Sequence, residues 1–144
     1  MIGLDTSFLV ALCVREHAAH SAATALLEKE ITGRPGGCAL APQVLTEFAH
    51  VVTDPKRFEK PLSMGAALDF CDQWWGAEEV RAISPDDETG RLFTAWMRQH
   101  RLGRKRILDT FLAATYFAAG VKSVVTTDWR DFSTFGVFDV RRIG

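Results

Sequence analysis

Four acidic side chains stand where they could do chemistry: Asp5, Glu47, Asp109 and Asp128. Each follows an apolar run that reads as a strand, or lies in the helix after one. In a parallel α/β sheet the carboxyl ends of the strands share one crevice, so acids placed there converge. Gathered carboxylates repel one another, and a hard divalent cation relieves that repulsion. The pattern points to a small metal-dependent enzyme acting on phosphate.

Singly, each acid also has an ordinary structural reading. Asp5 and Asp109 precede helical runs and could be N-caps, with Thr6 or Ser7 sharing the capping at the first site. Glu47 could lie on a solvated helix face. However, Val44, Leu45, Phe48, Ala49, Val51 and Val52 form the apolar stripe there, and Glu47 falls on its border. Asp128 could be a turn residue. Asp131, three positions on, is the reserve for Asp128 and is otherwise expected to cap a short helical piece. What these readings leave unexplained is recurrence at the same place in successive βα units. Ser7, Thr126 and Thr127 add hydroxyls able to hold a ligand or a metal-bound water.

The elements that must position these acids can be traced along the chain. Met1–Leu4 is a short buried strand, followed by helices over Phe8–Val14 and His20–Glu30 and a turn at Arg34-Pro35-Gly36-Gly37. Cys38–Ala41 is a second strand. Pro42 suits the first position of a helix reaching Thr53. A loop runs to Pro61, and Ser63 caps a helix over Met64–Trp75. Val80–Ile83 is a third strand. Ser84-Pro85-Asp86-Asp87 opens a helix ending near His100, which Leu102-Gly103 breaks. Asp109 opens the next helix, and Gly120 closes it. Val121–Thr126 and Phe135–Val140 are the last strands. Alternating strands and helices imply a mostly parallel sheet in one α/β domain over residues 1–144.

Composition sets bounds. The chain has 144 residues, 17 basic and 18 acidic side chains and a net charge of −1, so global attraction to nucleic acid is absent. Cys13, Cys38 and Cys71 are odd in number and lack metal-ligand spacing, which reads as reduced thiols in a cytoplasmic protein. The N-terminal run lacks a basic region and is interrupted by Asp5, so a signal peptide is not expected. No apolar run is long enough for a membrane span. His17, His20, His50 and His100 show no metal spacing. Charge is nevertheless local: Arg98, Arg101, Arg104, Lys105 and Arg106 lead directly into Asp109 and could guide phosphates toward it, with Arg15, Arg130, Arg141 and Arg142 extending the patch. Trp74, Trp75 and Trp96 are expected in core or interface packing.

The stretches Leu4-Asp5-Thr6-Ser7, Leu108-Asp109-Thr110-Phe111-Leu112-Ala113-Ala114 and Thr126-Thr127-Asp128-Trp129-Arg130-Asp131-Phe132, with Glu47 between them, resemble the PIN-domain ribonucleases. Within that family they resemble the VapC toxins of toxin–antitoxin pairs. The resemblance spans nearly the whole chain. It implies a three-layer α/β/α fold with about five mostly parallel strands. It further implies Mg²⁺, with Mn²⁺ able to substitute, held by Asp5, Glu47, Asp109 and Asp128; an RNA substrate; a homodimer; and a cognate antitoxin. Ser7 stands where many PIN domains carry Asn. A non-catalytic PIN-like module binding RNA or protein is the alternative. Phosphotransfer folds that also place an Asp after the first strand fit less well, because Ser7 replaces the second Asp that the dehalogenase pattern needs.

Overall fold

A computed structural model describes residues 1–144. Five strands form one parallel sheet in the order β3-β2-β1-β4-β5. They are β1 (Ile2–Leu4), β2 (Cys38–Leu40), β3 (Val80–Ala82), β4 (Ser123–Thr126) and β5 (Asp139–Arg142). The three central strands read IGL, CAL and SVVT, nearly free of charge because helices cover both faces. The edge strands read VRA and DVRR, and their charged side chains protect open edges.

The helices are α1 (Thr6–Cys13), α2 (His20–Leu26), α3 (Pro42–Val52), α4 (Met64–Trp75), α5 (Asp87–Gln99), α6 (Ile107–Ala118) and α7 (Trp129–Ser133). The α2 helix ends in a wider π turn over Leu27–Ile31, closed by Thr32 N–H donating to the Leu27 carbonyl at 2.8 Å. Ser63 caps α4 by accepting from Ala66 N–H, as expected. Asp86 and Thr89 form a capping box at the start of α5. No helix is long and apolar enough to cross a membrane.

One buried tyrosine fastens the centre. Tyr116 Oη donates to the Leu4 carbonyl at 2.6 Å and accepts from Ala41 N–H at 3.4 Å, tying α6 to the carboxyl ends of β1 and β2. Its ring lies on Gly3, where a Cβ would stand 2.9 Å from Tyr116 Cδ2. Only glycine permits that approach.

Two expectations need correction. The last strand is Asp139–Arg142, not Phe135–Val140. Phe135 instead stacks on Trp96 at 4.5 Å, and Gly136, at φ 68°, turns the chain before it joins β4. Aromatic packing therefore claims residues whose apolar pattern resembles a strand. The α6 helix begins at Ile107 rather than Asp109, so Asp109 lies inside the first turn and is not its cap.

Candidate active site

The site begins where β1 ends. Asp5 occupies the N-cap position of α1, yet its side chain caps nothing. Its Oδ2 accepts from Ser7 Oγ and Thr126 Oγ1, each at 2.7 Å. Those hydroxyls are themselves oriented by the loop after β4: Thr127 N–H donates to Ser7 Oγ at 3.0 Å, and Asp128 N–H donates to Thr126 Oγ1 at 2.9 Å. Two relays of N–H to hydroxyl to carboxylate thus converge on one oxygen. Parallel pairing of β1 with β4 makes this possible by setting Leu4 beside Val125.

Glu47 is reached from the same turn. Thr6 Oγ1 donates to Glu47 Oε2 at 3.1 Å, binding the start of α1 to α3. The shared capping expected of Thr6 and Ser7 is absent, because both hydroxyls serve carboxylates instead. Glu47 is half-buried at the edge of α3's apolar stripe, where its border position led one to look.

Asp109 enters from α6, where an acid in the first turn suits the helix dipole. Burial raises its pKa to about 7, helped by the charges of Asp5, Asp131 and Glu47. Asp5 is 5% exposed, and its pKa rises to about 6. Burial is the largest cause; the charge of Glu47 adds to it, and the Ser7 and Thr126 hydroxyls oppose it. Asp5, Glu47 and Asp109, separated by up to 104 positions in sequence, therefore act on one another through space.

Asp128 meets that group through its backbone, whose N–H donates to the Thr126 hydroxyl that holds Asp5. Asp128 is exposed at the N-cap position of α7 and caps nothing with its side chain. Asp131 is half-buried within α7, so it is not the cap expected of it. It pairs with Arg106, and its negative charge helps raise the pKa of Asp109.

The donors suit a hard divalent cation in kind: carboxylate oxygens, buried or half-buried, with Asp5 and Asp109 both raised in pKa. They do not form a closed coordination sphere, since no three His, Cys, Asp or Glu side chains stand close enough to hold an ion. The fit is chemical rather than geometric.

Of the basic run, Arg98, Arg101, Arg104 and Lys105 are exposed, whereas Arg106 turns inward. Arg141 is bound to Glu30 and does not extend the patch. Arg130 and Arg142 both lie over the Trp129 ring, at 5.2 and 5.6 Å. Sequence reasoning missed Tyr116 as a fastener and Arg106 as an internal partner. A lone tyrosine on an apolar helix face and an arginine in a basic run carry no signal of those roles.

The PIN domain family model matches residues 2–137. Several solved structures share the fold. Mycobacterium tuberculosis VapC20, described as a sarcin-ricin loop cleaving toxin, is 22% identical with TM-score 0.74, covering 98% of this chain and 99% of its own. FitAcB from Neisseria gonorrhoeae is 17% identical with TM-score 0.69, covering 99% and 97%. VapBC2 from Rickettsia felis, bound to a DNA fragment from its promoter, is 16% identical with TM-score 0.68, covering 100% of both chains. A comparison with curated protein sequences finds no match.

Proposed function

The chain belongs to the PIN-domain family, and from that premise we propose that it is a divalent-metal-dependent endoribonuclease serving as the toxin of a toxin–antitoxin pair. The observation that carries the proposal is the electrostatic coupling of three carboxylates from three separate elements, with Asp5 raised to about 6 and Asp109 to about 7. Uncompensated burial of this kind is unfavourable for a fold unless a ligand offsets it.

Asp5, Glu47 and Asp109 would hold Mg²⁺ or Mn²⁺. When bound, such an ion lowers the pKa of water and stabilises charge on a scissile phosphate. The chain's own part is orientation. Ser7 and Thr126 hold the Asp5 carboxylate in one rotamer. Thr6 restrains Glu47. Asp109, at about 7, loses its proton readily at neutral pH once a cation competes for it. The exposed cations Arg98, Arg101, Arg104 and Lys105 lead into α6 and would bind RNA phosphates outside the acidic crevice.

The VapBC and FitAB complexes among the structural neighbours support a cognate antitoxin as partner. A homodimer in the cytoplasm completes the reading. The second reading, a non-catalytic PIN module, draws on the absence of a preformed three-residue metal cluster.

Calorimetry with Mn²⁺ and an RNA-cleavage assay separate the two. The nuclease reading expects Mn²⁺ binding and cleavage that EDTA, Asp5→Asn or Asp109→Asn each abolish. Cleavage persisting in excess EDTA would refute metal dependence. Absence of Mn²⁺ binding in the unmodified chain would favour the binding module.

A further inference from the structure

Trp129 stands apart from the aromatic side chains that follow it. Phe132 and Phe135 are buried in the core, and Phe138 packs against it. Trp129, on the same short helix as Phe132, is only half-buried. Two guanidiniums lie over its ring, Arg130 at 5.2 Å and Arg142 at 5.6 Å from the centroid. Both arginines are exposed, and neither forms an ion pair. Their neighbours differ: Arg141 is bound to Glu30 and Arg106 to Asp131. Asp128, the exposed acid just before the ring, pairs with neither cation. Two unneutralised guanidiniums gathered at one indole repel each other, and an anion bound between them offsets that repulsion.

Strand register puts this group beside the acidic crevice. Arg142 pairs with Thr126 across β4 and β5. The Thr126 hydroxyl donates to Asp5 Oδ2 at 2.7 Å and accepts from Asp128 N–H at 2.9 Å, and Trp129 is the next residue. The indole and its cations thus stand at the carboxyl edge of the sheet, at the lip of the site. The basic run adjoins them, because Arg106 is bound to Asp131 of the same helix.

An aromatic ring flanked by guanidiniums suits an unpaired nucleotide, whose base stacks on the ring or on a guanidinium plane while its phosphates meet the charges. A base inside a duplex hides both faces from such a ring. An acidic protein segment would use the cations but leave the indole without a role. Resting on the nuclease reading above, we infer that Trp129, Arg130 and Arg142 form a subsite for one unpaired nucleotide of single-stranded RNA beside the phosphate to be cut. The indole takes the base, and the two guanidiniums take the flanking phosphates.

The test is fluorescence anisotropy of the full chain with a labelled, unstructured oligoribonucleotide in excess EDTA, where neither metal binding nor cleavage contributes. The single strand is expected to bind more tightly than a blunt RNA duplex of equal length. Trp129→Leu keeps apolar bulk but loses the π-face, and is expected to weaken single-strand binding about tenfold, whereas Trp129→Phe should retain most of the affinity. Arg142→Gln is expected to weaken binding and lower the slope of log affinity against log salt by about 1. Lys122→Gln removes an equal charge just before β4, at the opposite edge of the sheet, and should change binding less than about twofold. Stacking should also quench indole emission in the unmodified chain, and less so in Trp129→Phe. Unchanged RNA affinity in Trp129→Leu, or equal losses in Arg142→Gln and Lys122→Gln, would overturn the subsite. So would variants that lose binding to poly-L-glutamate but not to RNA, which would assign this face to an acidic protein. Cleavage persisting in EDTA would sink metal dependence and leave this result standing, so the two failures are distinguishable.

Discussion

Asp5→Asn is the most informative single change, because its effect on the metal-free fold has a calculable size and sign. The Asp5 carboxyl has an ordinary pKa of 3.8 in the unfolded chain and about 6 in the fold. A carboxyl that folding makes a weaker acid opposes folding wherever the unfolded chain would ionise it. The penalty is absent below 3.8, grows as pH rises toward 6 and is full above it. At neutral pH it amounts to about 3 kcal/mol. Asparagine removes the charge but not all of the loss. It keeps an acceptor for one of the two hydroxyls on Oδ2 and introduces an amide that must find a partner. A net gain of about 1.5 kcal/mol, or about 5 °C in melting temperature for a chain of this size, is the expected outcome at pH ~8. At pH ~4 the gain should be largely lost, because the folded carboxyl is then protonated and the unfolded one only partly ionised, which leaves a penalty of about 0.5 kcal/mol. The assay is thermal denaturation of both proteins in excess EDTA at the two pH values. Adding Mn²⁺ should then reverse the order at pH ~8, stabilising only the unmodified chain. A variant no more stable than the parent at pH ~8, or an offset equal at both pH values, would refute the claim that burial strains this carboxylate.

Three further outcomes are expected. Tyr116→Phe leaves the buried Leu4 carbonyl and Ala41 N–H without their partner, and should destabilise by about 1–3 kcal/mol in urea denaturation with little change in near-neutral Mn²⁺ affinity. Arg101 ends α5 at φ 51°, with Leu102 N–H donating to the Met97 carbonyl, so Arg101→Gly should stabilise by about 0.5–1 kcal/mol in the same measurement. Ser7→Ala breaks one of the two relays onto Asp5 and should weaken Mn²⁺ binding about tenfold in calorimetry, while Ser7→Thr should retain part of the affinity.

Much of the architecture was legible in the chain because it rests on local rules. Apolar triplets bounded by turn residues mark β1 and β2. Pro42, Ser63 and the run Ser84-Pro85-Asp86-Asp87 mark helix starts, and all three hold in the structure. Glu47 stood out because a charge on the border of an apolar stripe is placed by helical geometry alone. Phe135–Val140 failed for the converse reason: its alternation is a local signal, but Trp96, contributed by α5, decides that Phe135 packs as a plug. The end of β5 then follows from pairing with β4, which no local pattern reports.

The sequence by itself determined that acids follow the strands, that strands alternate with helices, and that a basic run precedes Asp109. Periodicity and capping chemistry act over a few residues, so they can be read from one segment at a time. Tertiary structure alone decided which groups act together. Ser7 meets Thr126 across 119 positions, Tyr116 reaches Leu4 across 112, and Arg106 chooses Asp131 over the solvent its neighbours face. Those pairings depend on parallel strand register and on helix packing over the sheet, both of which emerge only when distant segments compete to bury the same surface.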